Sequence, residues 1–382
     1  MKPTLKIIFI LTILTLSFNL VCAQKPEFLQ YKNDEWVNKQ MDSLTLEEKI
    51  AQLMMITVYP NQNTSSKNAV LEKIRSYKPG GILVMQGEPV KTASWVNQFQ
   101  EASETPLLVA IDGEWGPAMR IKNTIVYPCA QTLGAIQDTT YIYQMGRDYA
   151  YQLKLLGINM NFAPVADINT NPANPVIGFR SFGEDKNNVA EKAWMVAKGM
   201  QDAGIVSVAK HFPGHGDTKT DSHYALPLIT HDKKRIDNIE SYPFRYLSNR
   251  GIAGIMTAHL NVPSLDESGK TSSLSKKVVT DYLKNEIGFQ GLIITDAINM
   301  KGVKADRNQA ELEAIRAGND MVEFVRDIEK AIGTIKEAVL NNQILEEEIN
   351  EKCRTVLALK RWVGLNEYKP ANLENLVAKL NS

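Results

Sequence analysis

The segment 206–227 brings together side chains that can exchange protons or bind a ligand. It holds three of the five histidines of the chain, and its ionisable residues include Lys210, His211, His215, Asp217, Asp221 and His223. Its first residues, 206–209, form an apolar run that predicts a buried strand. We expect this strand to break into a loop at Lys210-His211, because a proline and two glycines follow closely. Ionisable residues on a loop directly after a strand are typical of an active site.

The histidines and carboxylates of this loop allow two interpretations. Imidazole and carboxylate groups are zinc ligands. However, the spacing matches no H-x-H pair, and a proline and a glycine prevent a helix between His211 and His215. The other interpretation is an acid/base pair, because Asp221 and His223 are two residues apart and face the same side of an extended loop. The carboxylate would orient the ring and raise its pKa, giving a general acid near neutral pH. We favour the pair and predict no metal and no other cofactor.

The rest of the chain alternates short apolar runs with amphipathic helical stretches. Eight runs have the length and composition of strands: 52–58, 81–85, 107–111, 159–163, 206–209, 254–256, 292–295 and 320–324. Near-continuous apolar strands separated by helices indicate a parallel sheet covered by helices. Eight such units predict an α/β fold of the (β/α)8 TIM-barrel type, although a large doubly wound sheet would give a similar alternation.

Polar residues collect immediately after the predicted strands, and their placement favours the barrel. They are Asp112, Glu114, Asp167, Lys210, His211, His259 and Asp296. In a TIM barrel all strand ends meet at one mouth, so a single pocket can hold these side chains. Asp296 could be the N-cap of the following helix or a nucleophile, and its position alone does not decide between the two roles.

The first 23 residues predict a secretory signal peptide. Two lysines precede the apolar run 7–21, which is too short and too interrupted by polar residues for a membrane span. We expect cleavage before Gln24, and a lipid anchor on Cys22 is less favoured because a bulky valine precedes that cysteine. The mature chain is therefore expected to be exported, either to the periplasm or out of the cell.

Composition excludes several classes of protein. The chain has 43 basic and 43 acidic residues, so nothing indicates a nucleic-acid or anionic-membrane partner. Only Cys129 and Cys353 remain after the signal peptide, which is too few for a disulfide framework. We therefore expect a monomer with one catalytic domain, 24–365, stabilised by its core, and a polar tail, 366–382, that forms a helix on the outside.

Four short motifs together resemble one enzyme family. They are Asp112-Gly113-Glu114-Trp115-Gly116 with Arg120, Arg180-Ser181-Phe182-Gly183, Lys210-His211-Phe212-Pro213-Gly214-His215-Gly216 with Asp221-Ser222-His223, and Ile294-Thr295-Asp296-Ala297. In this order, and with a likeness along nearly all of the mature chain, they resemble the bacterial β-N-acetylglucosaminidases of glycoside hydrolase family 3. Many members of that family carry a second α/β domain that supplies the acid/base. We expect this chain to lack that domain, because it ends too soon for one, and it therefore resembles the subgroup whose acid/base lies on the loop after the fifth strand.

The resemblance implies a role for each motif. Asp296 would be the nucleophile, and His223, oriented by Asp221, would be the acid/base of a retaining mechanism. The hydroxyls and N-acetyl group of the terminal sugar would be bound by five residues: Asp112, Arg120, Arg180, Lys210 and His211. Independently of the resemblance, Gly214 and Gly216 on either side of His215 give the loop backbone freedom, so we expect it to close over the bound sugar.

The implied activity is that of a β-N-acetylhexosaminidase, which removes terminal non-reducing GlcNAc from glycans such as peptidoglycan fragments. Two alternatives use the same fold: a β-glucosidase or xylosidase, and a phosphorylase, because a histidine that is neutral after proton donation does not repel phosphate. A non-catalytic sugar-binding protein is a third alternative, which the intact nucleophile and acid/base pair argue against. Export departs from the cytoplasmic cell-wall recycling that is common among similar enzymes.

Overall fold

The structure of the protein is a computed structural model that describes residues 24–219, 226–300, 303 and 309–382. The predicted signal peptide, 1–23, lies outside the described residues. So do Asp221 and His223, the predicted acid/base pair.

Seven parallel strands form one sheet in chain order, each paired with the next. They are β1 Met55–Val58, β2 Gly81–Val84, β3 Leu108–Ile111, β4 Met160–Asn161, β5 Val206–Phe212, β6 Gly254–Thr257 and β7 Leu292–Thr295. All residues of β2, β3, β5, β6 and β7 are buried. This explains their near-continuous apolar sequences, because a parallel sheet is covered on both faces.

The segment predicted as an eighth strand closes the sheet through two isolated bridges. Met321 pairs with Ile294 in β7, and Val322 pairs with Met54 just before β1. The amide of Met55 donates to the carbonyl of Val322 over 2.9 Å. The last and first strands are thereby joined, and the predicted α/β TIM-barrel fold is confirmed.

Helices surround the strands. They are α1 Glu35–Ser43, α2 Leu46–Ala51, α3 Thr64–Tyr77, α4 Pro89–Glu101, α5 Ala130–Leu133, α6 Thr139–Leu155, α7 Lys186–Asp202, α8 Lys233–Arg235, α9 Tyr242–Ser248, α10 Ala310–Ala317, α11 Ile328–Leu340, α12 Glu346–Trp362 and α13 Leu376–Leu380. Two segments are π-helical, Ile236–Glu240 and Lys277–Glu286. Among the described helices, none combines the length and apolarity that a membrane span needs.

Helices α6 and α7 pack with their backbones in close approach. A Cβ atom at Gly146 would lie 2.4 Å from the carbonyl oxygen of Val196, and one at Gly199 would lie 2.2 Å from that of Tyr143. Only glycine permits this spacing. The two long helices thereby form a rigid support on the side of β4 and β5.

The predicted end of the fifth strand is wrong. β5 does not break at Lys210-His211 but continues through Phe212. The carbonyl of Lys210 accepts a hydrogen bond from the amide of Ala166 over 2.7 Å, so the neighbouring segment sustains the strand beyond the apolar run. The pairing with β6 shifts register between Ala209 and Phe212.

The predicted tail, 366–382, contains α13. Leu376 and Leu380 of this helix are buried, and the helix contacts α4 and α6 on the outside of the barrel.

Candidate active site

A cavity of about 260 Å³ opens at the carboxyl ends of the strands. Six predicted site residues lie within the described part of the chain, and the cavity is lined by all of them: Asp112, Arg120, Arg180, Lys210, His211 and Asp296. The carboxyl ends of barrel strands converge, which places side chains far apart in sequence around one small volume.

One side of the cavity is a network of five charged groups. Nζ of Lys210 lies 2.5 Å from Oδ1 of Asp112 and 2.8 Å from Oε1 of Glu114. Nη2 of Arg120 lies 2.7 Å from Oδ2 of Asp112. Arg180 binds both carboxylate oxygens of Glu114 through Nε and Nη2, at 2.8 and 2.7 Å. Each cation thus has a carboxylate partner, which is what a buried charge requires.

These contacts set the charge of each group. Burial alone would raise the pKa of Glu114, but Lys210 and Arg180 outweigh it and hold the pKa well below its usual range. Burial would lower the pKa of Lys210, but Asp112 and Glu114 outweigh that effect and raise it. The network is therefore ionised at neutral pH and presents fixed donors and acceptors to a polar ligand.

His211 is held from behind by Asp167. Nδ1 of His211 donates to Oδ2 of Asp167 over 2.6 Å, and the amides of His211 and His215 donate to the same carboxylate over 3.1 and 2.6 Å. Burial would raise the pKa of Asp167, but His211 and these hydrogen bonds lower it. Nε2 of His211 lies 3.4 Å from Nη2 of Arg180. The imidazole is thus fixed at the cavity wall by a fully buried carboxylate.

Lys210 and His211 both line the cavity although they are consecutive residues of β5. Consecutive side chains of a regular strand point to opposite faces. The register shift between Ala209 and Phe212 interrupts that alternation, and such irregularities re-aim side chains next to active sites.

Asp296 lies at the end of β7, and its Oδ1 accepts a hydrogen bond from the amide of Ala297 over 2.7 Å. Burial would raise the pKa of Asp296, but His211, the amide of Ala297 and Lys210 lower it below its ordinary value. Residues 297–300 form a turn, so Asp296 caps no helix within the described residues that follow it. The carboxylate is ionised and lines the cavity.

His259, at the end of β6, fixes the backbone next to Asp296. One ring nitrogen, Nε2, lies 3.1 Å from the carbonyl oxygen of Ala297, and the other, Nδ1, lies 2.7 Å from Oγ of Ser273. A carbonyl only accepts, so we assign the proton to Nε2 and let Ser273 donate to Nδ1. Burial lowers the pKa of His259, which agrees with a neutral ring.

Sequence reasoning left four residues of the site without a role. Glu114, Asp167 and His259 were recognised as polar residues after strands, but nothing in the sequence indicated what they contact. Glu323 lies inside the predicted eighth strand, 320–324, and its position near the end of that strand was the signal that could have found it. It lines the cavity together with Asp296.

Gly214 and Gly216 are needed for close packing. Gly214 has φ of +132°, and a Cβ there would lie 2.8 Å from Cβ of Glu240. A Cβ at Gly216 would lie 1.7 Å from the carbonyl oxygen of Ile168. The two glycines are explained by these contacts without any motion, and closure of the loop stays a prediction.

Among the described residues, one group could hold a metal ion: Asp217, His231 and Glu240. Nε2 of His231 already hydrogen-bonds to Oδ2 of Asp217, and Nε of Arg235 donates to Oε1 of Glu240 over 3.1 Å. His211 and His215 of the loop are not part of this group. The nearby Arg235 opposes a further cation, so the cluster is better described as a set of ion pairs that ties the loop to residues 231–240.

Comparison with known proteins places these features in a family. A sequence model of the glycosyl hydrolase family 3 N-terminal domain matches residues 45–359. The chain is 32% identical, over 324 residues, to β-hexosaminidase A of Pseudoalteromonas piscicida; the match covers 76% of this chain and 54% of that protein. It is 29% identical to β-hexosaminidase LpqI of Mycobacterium tuberculosis, over 83% of each chain. A solved family 3 β-N-acetylglucosaminidase from Paenibacillus superposes with a TM-score of 0.81 at 32% identity, covering 88% of this chain and 68% of the other. The chain thus spans about half the length of its Pseudoalteromonas relative.

Proposed function

The chain belongs to glycosyl hydrolase family 3, and from that premise we propose that it is a retaining β-N-acetylhexosaminidase. Its substrate would be a glycan that ends in a non-reducing GlcNAc. Relatives named β-hexosaminidase and the likeness to a solved β-N-acetylglucosaminidase support this assignment. The observation that carries it is the ionised carboxylate of Asp296 in a cavity whose remaining charges are all paired.

In the proposed first step, Asp296 attacks the anomeric carbon and the glycosidic bond breaks. Oδ1 is held by the amide of Ala297, so we assign the attack to Oδ2. His223, oriented by Asp221, donates its proton to the departing glycosidic oxygen. The product of this step is a glycosyl ester on Asp296.

In the proposed second step, the now neutral His223 takes a proton from water, and the resulting hydroxide attacks the anomeric carbon of the ester. The bond between the sugar and Asp296 breaks, and the carboxylate of Asp296 is regenerated. Two displacements return the β-configuration, so the sugar is released with retention. Neither step requires a metal or an organic cofactor.

The sugar would be held by the charged network. Its hydroxyl and N-acetyl groups would accept from Lys210, Arg120 and Arg180, and its hydroxyl groups would donate to Asp112. Because these side chains are already held by one another, little reorganisation is needed when the sugar binds. His211, fixed by its carboxylate partner, completes the wall.

We extend the proposal to peptidoglycan fragments as substrate and to an exported protein. The N-terminal apolar run and its expected cleavage site support export, and a cell wall outside the cytoplasm is the GlcNAc-containing polymer that an exported enzyme would meet. Hydrolysis of purified muropeptides by the mature protein would test the substrate, and fractionation of cells would test the location.

The nucleophile is tested by Asp296→Ala. We expect kcat/KM for 4-nitrophenyl N-acetyl-β-glucosaminide to fall by roughly a thousandfold or more, with partial recovery when azide attacks the vacated face. Product configuration followed by NMR should show retention in the wild-type protein. The matched control is Asp138→Ala, which removes the exposed N-cap of α6 and should lower stability by about 1 kcal/mol without changing activity.

Three results would contradict this assignment: near-normal activity in Asp296→Ala, inversion of the product, or a wild-type protein that releases no nitrophenol. Repeating the wild-type assay with inorganic phosphate distinguishes hydrolysis from phosphorolysis, because only the latter yields a sugar 1-phosphate.

A further inference from the structure

Glu323 lines the cavity and, like Asp296, has no counter-charge in contact with it among the described residues. The residue is buried, with 4% of its surface exposed. Its Oε2 has no hydrogen-bond partner among the described residues. The backbone is held on both sides: its amide donates to Oγ1 of Thr295 over 3.2 Å, and its carbonyl accepts from the amide of Ile298 over 3.2 Å. The position of the carboxyl group is therefore set by the barrel.

A buried polar atom without a partner is destabilising, so such atoms in folded proteins are rare. Glu323 faces the same small volume as Asp112 and Asp296. In the absence of a ligand it would leave a hydrogen-bonding group unused in the cavity wall. A polar ligand in the cavity would supply the missing partner.

The surroundings of the carboxyl group favour its protonated form. Burial raises the pKa of Glu323 well above its usual range, and the negative charges of Asp112 and Asp296 raise it further, against smaller opposing effects of Lys210 and Arg120. A neutral carboxylic acid has one O–H donor, whereas the two neighbouring carboxylates only accept. In its neutral form Glu323 thus adds a donor beside the two carboxylates of Asp112 and Asp296.

We propose that Glu323 donates a hydrogen bond to an oxygen atom of the terminal sugar and is a specificity-determining residue for uncharged sugars. This inference rests on the proposed function, since it assumes that the cavity binds a sugar. It concerns neither the nucleophile nor the acid/base pair, because Glu323 takes part in no bond-breaking step.

The inference is tested with two substitutions and a set of substrates. Glu323→Leu removes both polar atoms at similar volume, and Glu323→Gln keeps a donor through its amide. The substrates are 4-nitrophenyl N-acetyl-β-glucosaminide, its 3-, 4- and 6-deoxy analogues, the β-glucoside that lacks the N-acetyl group, and the 2-amino sugar that carries a positive charge. The values of kcat/KM for each combination of protein variant and substrate form a double-mutant cycle, which measures the coupling between the side chain and one sugar oxygen.

With the parent substrate we expect Glu323→Leu to lower kcat/KM by about tenfold or more, and Glu323→Gln to stay within about threefold of the wild type. The analogue that lacks the oxygen bonded to Glu323 should be a poor substrate for the wild type. For this analogue Glu323→Leu should not lower kcat/KM further. If the role of Glu323 were purely structural, Glu323→Leu would lower kcat/KM by the same factor for all substrates. Glu311→Leu is the control, because Glu311 on α10 is also a partly buried carboxyl with a raised pKa but does not line the cavity.

Three outcomes would overturn the inference. The first is that Glu323→Leu leaves kcat/KM unchanged for every substrate, and the second is that it lowers kcat/KM equally for all analogues. The third is that the wild type prefers the cationic 2-amino sugar and that Glu323→Gln removes this preference, which would mean that the side chain is ionised. If Glu323→Leu does not fold, Glu323→Met takes its place in the cycle. A wild-type protein inactive on the parent substrate would instead contradict the proposed function.

Discussion

The ammonium group of Lys210 shows how a buried charge at the cavity is stabilised by charges of opposite sign. Its side chain is 3% exposed and lies between the carboxylates of Asp112 and Glu114. Removal of one partner of such a buried set leaves an uncompensated charge, which costs several kcal/mol. The residues that we propose to bind the sugar therefore also stabilise the protein, and substitutions in the network should affect both properties.

The acid/base role of His223 predicts a dependence on the leaving group. His223→Ala should slow glycosides with poor leaving groups by roughly a hundredfold or more, because their departing oxygen needs a proton. Activated aryl glycosides need little protonation and should be slowed far less. Steady-state kinetics on nitrophenyl, phenyl and alkyl N-acetylglucosaminides would measure this difference, and each substrate acts as the control for the others. Equal losses for all of them would exclude proton donation by His223.

At the scale of elements, the end of β5 and the residues after it bring Lys210, His211 and His215 to the cavity. Asp167 holds the amides of His211 and His215 as well as the imidazole of His211. Gly216 then passes against the backbone of Ile168, in the same segment as Asp167. The segment after β4 thus fixes the position of the residues that follow β5.

Gly216→Ala should damage this packing. A Cβ atom 1.7 Å from the carbonyl oxygen of Ile168 must displace one backbone from the other, and we expect a loss of about 2 kcal/mol or more in the free energy of unfolding. The value of kcat/KM should fall as well, because the loop carries the site residues. Urea unfolding and steady-state kinetics would measure the two effects.

Gly333→Ala provides the matched control for this substitution. Gly333 lies within α11, and no other group lies within 4 Å of the position that its Cβ would take. Alanine has the higher helix propensity, so this variant should gain up to about 1 kcal/mol and keep full activity. Normal stability and activity of Gly216→Ala would show that the close approach is not required.

At the scale of the whole molecule, the barrel and its outer helices are joined by polar groups deep in the core. Lys360 of α12 is fully buried, and its Nζ donates to Oε1 of Gln52, just after α2, over 2.5 Å. Burial lowers the pKa of Lys360 to about 7. The free energy of unfolding should therefore depend on pH through the protonation of Lys360.

The stability of the protein should therefore rise with pH above neutrality. In the unfolded chain a lysine has a pKa of about 10.4, so between pH 7 and pH 10 the unfolded state holds a proton that folded Lys360 has released. The free energy of unfolding then increases with pH, by at most about 1.4 kcal/mol per pH unit from this residue. Urea unfolding between pH 7 and pH 9 would measure the slope.

Lys360→Met should reduce that slope. The loss of the partner of Gln52 costs stability, but this cost does not depend on pH. Lys352, whose pKa burial lowers to about 8, remains and adds to the slope in the same direction. An unchanged slope in Lys360→Met would show that Lys360 is not the group that titrates.

The sequence by itself determined the fold class, the approximate position of the strands and the six described residues that line the cavity. Alternating apolar runs and helical stretches are local patterns, and in a barrel they leave few arrangements. The order of the strands predicted that Asp112, Lys210, His211 and Asp296 meet at one mouth, whereas Arg120 and Arg180 were named through the family resemblance. The acid/base pair of Asp221 and His223 was predicted from its spacing and from the resemblance, and it stays a prediction.

Only the tertiary structure decided how the side chains are aimed and what holds them. The apolar run ended at Ala209, but β5 continues because a segment some forty residues earlier in the chain supplies hydrogen bonds to it. Its register shift turns both Lys210 and His211 toward the cavity. Glu323 looked like part of a strand, and only closure of the barrel between β7 and β1 brings it beside Asp296. Hydrogen bonds and burial of this kind join residues distant in sequence, so no local pattern encodes them.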